Sequence, residues 1–298
     1  MNERVVVITG ASGGIGAASA ELLANRKMSV VLVAWRPDAL QAVAARCGGR
    51  AHVVTADVTR RADVRHAVGD ALARFGRIDV WVNNAGRGIT RQPSELTDDD
   101  VDEMVRSNVK TALYGMQEVL PHFRSRNEGH IINVSSMLGR MPFATIRSAY
   151  CGAKHFLNAL TATLRDELAS SYPGIQVSLV SPGVVRTDFG LNAVHGGPDS
   201  RQFPESQSAE DVAEVIAAII ESRAPDMYTR TGARARVAAY YANVGVDPHF
   251  PDAFSHTNAI AGFRPSALRS RPDPGRGSCL RSREQSARDA SVPLPPLA

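Results

Sequence analysis

No apolar stretch in this sequence approaches the roughly 20 residues a helix needs to cross a bilayer. Nor does a cationic leader with an apolar run and a small-residue cleavage site open it; Val5-Val6-Val7-Ile8 passes straight into a glycine-rich turn. Neither membrane insertion nor secretion is expected. Cysteine is scarce: Cys47, Cys151 and Cys279 show no paired spacing for a metal or a redox couple, and isolated thiols in odd number suit a reducing compartment, which points to the cytoplasm. The eight histidines supply no i, i+4 pair with a carboxylate, so no metal centre is expected. There is no internal repeat, and no linker before about residue 250.

What is present is an ordinary globular balance, 44% hydrophobic and 21% charged over 298 residues, enough for one large α/β core. The formal charge of +4 is unevenly placed. Residues 264–298 carry seven arginines against Asp273, Glu284 and Asp289, so this segment holds the whole net charge and the rest of the chain sums to zero. It is also rich in Pro, Ser and Gly without hydrophobic period, and reads as a disordered tail. No aromatic interleaving accompanies the arginines, so nucleic acid is not an expected partner. The expected organisation is one domain over 1–250, a poorly defined extension over 251–263, and the tail over 264–298.

Short β-branched runs alternate with amphipathic segments along the domain. The runs fall at 4–9, 29–34, 52–55, 78–83, 130–135, 175–180 and, more weakly, 226–229; helical periodicity marks 15–26, 38–46, 61–75, 98–125, 149–171 and 209–221. The strands lack strict polar alternation, as expected when helices cover both faces of a sheet. Local chemistry sets the boundaries: Pro37 opens the second helix, Thr97-Asp98-Asp99-Asp100 caps another, and Pro173-Gly174 ends a third. The pattern predicts a doubly wound, Rossmann-like parallel sheet of seven strands.

Between the first strand and first helix lies Thr9-Gly10-Ala11-Ser12-Gly13-Gly14-Ile15-Gly16. In that position Gly10 permits a tight turn, Gly14 lets the backbone approach a pyrophosphate, and Gly16 lets the helix pack on the strand, while the helix N-terminus attracts the anion. Ser12, Gly13 and Ile15 complete the candidate cradle. An acidic residue at the end of the second strand would favour NAD; Val33-Ala34-Trp35-Arg36 has none, and Arg36 can donate paired hydrogen bonds to a 2′-phosphate, which favours NADP over NAD. The competing reading is that Arg36 is a solvated surface residue.

The spacing of that turn, TGxxxGxG, is similar to the short-chain dehydrogenase/reductase family. The resemblance runs over about residues 4–245 and is carried further by Asn83-Asn84-Ala85-Gly86, Ser136, Tyr150-Cys151-Gly152-Ala153-Lys154 and Pro182-Gly183 in the same order along the chain. It implies that Asp57 and Val58 border the adenine, that Asn84 and Gly86 line the cofactor cleft with Pro182 and Gly183, and that Val185 and Thr187 hold the nicotinamide amide. Asp57 could instead only start the third helix, and Asn83-Asn84 only stabilise a turn.

Tyr150 and Lys154 stand four apart at the start of a predicted helix and so share one face. An ammonium there would favour the phenolate and bring proton exchange toward neutrality. The resemblance implies that Ser136 orients a substrate carbonyl, that Tyr150 exchanges the proton, that Lys154 also holds the nicotinamide ribose, and that Asn108 supports a water relay. Ser135 is the rival for Ser136, and Asn108 could equally be a buried amide at a helix kink. His155 and His195 are candidate substrate contacts or plain packing residues. The expected activity is hydride transfer between NADPH, or NADH, and a small carbonyl or secondary alcohol. A non-catalytic NADP-binding sensor or scaffold is the alternative. The family's habit of pairing through helices like 98–125 and 149–171 implies a homodimer or homotetramer. Substrate choice should reside in 87–96, 137–147 and 184–208, the last a glycine-bearing segment expected to be mobile.

Overall fold

A computed structural model describes residues 4–244 of the chain. The extension at 251–263 and the tail at 264–298 therefore lie outside the described residues. The strands are β1 (Val5–Thr9), β2 (Ser29–Ala34), β3 (Ala51–Thr55), β4 (Val80–Asn83), β5 (Gly129–Val134), β6 (Ile175–Ser181) and β7 (Asp226–Tyr228). They form one sheet in the order β3-β2-β1-β4-β5-β6-β7, every neighbouring pair parallel. Strand order reverses direction between β1 and β4, where Ile8 pairs with Val82. A crevice at the carboxyl ends of those two strands is the place where such sheets receive ligands.

The helices are α1 (Gly14–Asn25), α2 (Pro37–Arg46), α3 (Arg61–Phe75), α4 (Asp98–Val105), α5 (Thr111–Arg126), α6 (Ser148–Ala169), α7 (Ala209–Ser222) and α8 (Ala233–Ala242). Alternate residues of β1 serve different layers, as the two-residue strand period requires. Val6 and Ile8 pack with Leu23, Leu40, Val212 and Ile216 from α1, α2 and α7, whereas Val5 and Val7 pack with Val64, Phe123 and Leu168 from α3, α5 and α6. Side chains such as Leu23, Leu40 and Phe123 have no exposed surface, and each contributes about 1.5–3 kcal/mol of hydrophobic stabilisation.

Two elements differ from the sequence reading. The single helix expected over 98–125 is interrupted by a π-helical turn at Arg106–Lys110. One extra residue in a turn shifts the apolar stripe by roughly 100°, and a long stripe absorbs that shift without a visible break in its period. The second difference is α8, which lies where no helix was expected. Of its residues only Ala233 is fully buried, and Val237 and Tyr240 pack against Met137 and Met141. It is held by that tertiary contact rather than by an apolar period of its own.

Candidate active site

The glycine turn is built by close approach. Gly10 sits at φ 66 with Ala85 so near that an added Cβ would meet its Cα at 2.9 Å, and a Cβ on Gly16 would lie 2.4 Å from the Gly10 carbonyl oxygen. Asn84 secures the turn from the neighbouring strand end: its side-chain amide donates to the Thr9 carbonyl at 3.0 Å, and its backbone N–H donates to Thr9 Oγ1 at 3.0 Å. Helix α1 begins directly behind, with no side-chain cap and no acid in its first turn. Ser12 is partly exposed and Gly13 and Gly14 are exposed, while Ile15 packs on the core beside the buried Gly16. Uncapped N–H groups facing an open, acid-free turn are chemically suited to an anion.

Arg36 projects over this turn and donates to Ser12 Oγ at 3.1 Å. Its guanidinium also lies 5.8 Å from the ring centre of Trp35, which is 70% exposed. At the end of β3, the Asp57 carboxylate accepts from the Thr59 N–H at 3.0 Å and from its hydroxyl at 2.7 Å, so one oxygen closes a local turn. The Val58 side chain is buried in the core with Val33 and Val54.

Helix α6 carries Tyr150 and Lys154 on one buried face, 6% and 4% exposed. Burial drives the Tyr150 phenol well above its usual value, against the opposing pull of its hydrogen bond with Ser136 and of the nearby Arg147 guanidinium. Burial also brings Lys154 down to about 8. Its Nζ donates to the Val134 carbonyl at 3.0 Å and stands 5.7 Å from the Tyr150 ring centre. In both groups desolvation is the larger influence, and at Tyr150 Ser136 and Arg147 act against it.

The adjacent serines have different partners. Ser135 Oγ donates to Asn158 Oδ1 at 2.5 Å, and Asn158 in turn donates to the Gly139 carbonyl at 2.6 Å, which ties α6 to the loop after β5. Ser136 Oγ accepts from the Leu138 N–H at 3.1 Å, and its hydroxyl pulls the Tyr150 phenol downward. The Met137 N–H reaches the Pro182 carbonyl at 2.7 Å, bringing Pro182-Gly183 beside the Ser136 turn.

Asn108 is the central residue of the π turn and 1% exposed. Its side chain stands beside Gly86. A Cβ on Gly86 would lie 2.7 Å from Asn108 Oδ1 and 3.5 Å from Lys154 Nζ, so the Gly86 backbone runs between the two.

The segment after β6 makes contacts along its length. Val185 bridges to Gln207, the Thr187 methyl lies 3.1 Å from where a Gly14 Cβ would stand, and Val194 bridges to Ile89 with backbone bonds to Gly88 and Thr90. Several residues here escape a reading of the sequence. Phe189 packs edge-on against Tyr150 at 5.5 Å. Arg147 donates to the Ile89 carbonyl at 2.8 Å. Trp81, Asn83, Asn133 and Thr161 form a buried hydrogen-bonded chain beneath the site. Only Asn83 lay in a motif, and its signal belonged to the motif's second asparagine. Of the histidines considered, His155 bonds the Cys151 carbonyl and His195 bonds Asp100. Among the described residues no cluster of His, Cys, Asp and Glu could hold a metal ion, and no helix is long and apolar enough to cross a membrane.

Comparison with known proteins gives a consistent result. The short chain dehydrogenase pattern matches residues 4–195. An uncharacterized oxidoreductase of Staphylococcus saprophyticus is 37% identical over 190 residues, covering 63% of this chain and 77% of that protein. Another, of Bacillus subtilis, is 32% identical over 242 residues, covering 79% and 67%. Among solved structures, a short chain dehydrogenase/reductase of Burkholderia phymatum in complex with NAD superimposes with a TM-score of 0.73 at 27% identity, over 79% of this chain and 92% of that one. A short-chain dehydrogenase of Sphingobium yanoikuyae in complex with NADPH gives 0.70 at 30% identity, over 80% and 92%.

Proposed function

The chain belongs to the short-chain dehydrogenase family, and on that footing we propose that it transfers a hydride between NADPH and a carbonyl or secondary-alcohol substrate, with Tyr150 as the acid and base. The observation that carries this reading is Tyr150 and Lys154 on one buried face of α6, Lys154 Nζ 5.7 Å from the Tyr150 ring centre, with Ser136 just past β5 and the Gly86 backbone beside Lys154 following on Ala85, which packs against Gly10. The open N-terminus of α1 fits a pyrophosphate. When bound there, the dinucleotide supplies the hydride.

The chain's own residues do the rest. Ser136 and Tyr150 are placed to donate hydrogen bonds to one carbonyl oxygen and so to orient it. Tyr150 gives its proton to that oxygen in reduction and takes it back in oxidation. Lys154, held by Val134, adds a positive charge that favours the phenolate once the proton has left and offers a donor to the nicotinamide ribose. Asn84, Gly86, Val185 and Thr187 frame the cleft, Asp57 and Val58 border the adenine end, and Arg36 beside Ser12 is positioned to read a 2′-phosphate. The solved relatives include one with NAD and one with NADPH, so Arg36 and the absence of an acid at Ala34 are what favour NADPH here.

An apolar groove between α4 and α6 supports a dimer or tetramer: Val101 and Phe156 there are 46% and 51% exposed beside Leu96 and Ala149. The buried, unpaired Cys47 and Cys151 suit the cytoplasm. The experiment is single-turnover hydride transfer by Tyr150→Phe with a converted ketone or alcohol. It should fall by about two to four orders of magnitude while the NADPH dissociation constant holds. Retained turnover would overturn the mechanism.

A further inference from the structure

The segment after β6 touches three places in succession: Thr187 lies on the glycine turn, Phe189 on Tyr150, and His195 on Asp100. The last contact is made to a carboxylate that is only 4% exposed. Asp100 Oδ1 accepts from His195 Nε2 at 2.7 Å, while Oδ2 accepts from Arg91 at 3.0 Å and from the Thr97 N–H at 3.1 Å. Arg91 of the 87–91 segment and Thr97 at the N-cap of α4 thus fix the carboxylate, and His195, whose Nε2 also lies 3.2 Å from Arg91 Nη1, brings the strap to it. His195 and Gly196 are consecutive left-handed residues, φ 65 and 72, and that turn carries the ring back to Asp100. Just before it, Val194 donates to the Gly88 carbonyl at 2.9 Å and accepts from Thr90 N–H at 3.0 Å, and Arg87 Nε reaches the Asn192 carbonyl at 3.2 Å.

We propose that Asp100 and His195 form a clasp that holds residues 188–195 against 87–91 and thereby sets Phe189 beside Tyr150, making His195 a positioning residue for substrate. The physical reason is leverage. A three-residue backbone zip at 88–90 and 194 has too few bonds to resist fraying alone, whereas a charge-assisted bond to a buried, pre-fixed carboxylate does not need to order its acceptor. Phe189 donates its backbone N–H to Thr187 Oγ1, and its ring meets Tyr150 edge-on and lies on Gly88, where an added Cβ would come within 3.0 Å of it, so its place depends on the strap lying against 87–91. With Phe189 36% exposed, a substrate carbonyl entering beside Tyr150 meets the aromatic ring on that flank. This places an apolar or aromatic substituent of the substrate there. The inference rests on Tyr150 being the reacting group.

The test is His195→Ala, which leaves the Thr97 and Arg91 bonds to Asp100 intact, beside His195→Gln, which keeps a side-chain N–H. Amide hydrogen exchange over 188–195 should quicken by about tenfold or more in His195→Ala, with α4 unchanged. Its kcat/KM should fall by about tenfold, mainly through KM. The NADPH dissociation constant should move less than about threefold, and His195→Gln should recover part of both effects. Phe189→Ala should reproduce the KM change without the faster exchange. Unchanged exchange in His195→Ala, or faster exchange with unchanged KM, would overturn the clasp. Because exchange is read without turnover, that failure is separate from a failure of the Tyr150 mechanism, which Tyr150→Phe reports.

Discussion

Asn108 grips the backbone of Arg87 twice, accepting from its N–H at 3.2 Å and donating to its carbonyl at 2.9 Å. A further bond runs from its amide to the Met104 carbonyl at 3.2 Å, the kind of acceptor that a π turn frees from the helix ladder. One buried amide thus joins the kink in the α4–α5 helix to the loop that follows Gly86 and borders Lys154.

Asn108→Ala should therefore strand buried backbone groups of Arg87 and cost about 1–3 kcal/mol of stability. Turnover should fall as well, because the Gly86–Lys154 spacing loses its support. Urea midpoints and steady-state rates on the same preparations check both. A variant with normal stability and normal turnover would show that the grip is incidental.

The two adjacent serines should separate cleanly. Ser136→Ala is expected to lose about a hundredfold or more in turnover with little change in stability, since the proposed role of its hydroxyl is to orient the substrate carbonyl for Tyr150. Ser135→Ala should keep turnover within a few-fold and lose about 1 kcal/mol, the value of a side-chain hydrogen bond to Asn158. The reversed pattern would exchange their roles.

For Arg36→Ala, NADPH affinity should weaken by about ten- to a hundredfold, the range of charge-assisted hydrogen bonds. NADH affinity should stay within about threefold. Titration of both dinucleotides decides it, and equal losses would mean that Arg36 does not read the phosphate.

Acid should destabilise the fold through His130. Its Nε2 lies 2.8 Å from Ser178 Oγ, which itself donates to the Ala224 carbonyl, so the ring is the donor. Burial, helped by Arg223 and Arg4, lowers the His130 pKa to about 3. Between that value and the unfolded 6.5 only the unfolded chain takes up the proton. The stability contributed is complete above 6.5 and is lost as pH falls toward 3. Between pH 7 and pH 5 the loss amounts to about 2 kcal/mol. His130→Gln, which does not titrate, should show a flatter profile of urea midpoint against pH. An unchanged profile would place the acid sensitivity elsewhere.

Much of the site is legible in the sequence because its requirements are local. Gly10 and Gly16 are needed by contacts within a single βα turn, and Tyr150 and Lys154 share a face because a helix repeats every 3.6 residues. The parallel sheet follows from β-branched runs without polar alternation, since both of its faces are covered. What the spacing leaves open is which of two adjacent residues faces the cleft. Ser135 and Ser136 are adjacent in sequence, and it is Asn158, more than twenty residues on, that engages the Ser135 hydroxyl.

Sequence alone thus determined the strand and helix alternation, the phosphate-suited turn and the Tyr-Lys pair, each a matter of backbone period or glycine geometry over a few residues. Tertiary structure alone decided the environment of those groups. Whether Tyr150 and Lys154 stand in water or are desolvated depends on loops from distant parts of the chain, and desolvation sets the direction of both pKa shifts. The His195 bond to Asp100 spans 95 positions, and Phe189 reaches Tyr150 across a separate loop. Contacts of that kind leave no period in the sequence, because their energy is gained only after the sheet has brought the loops together.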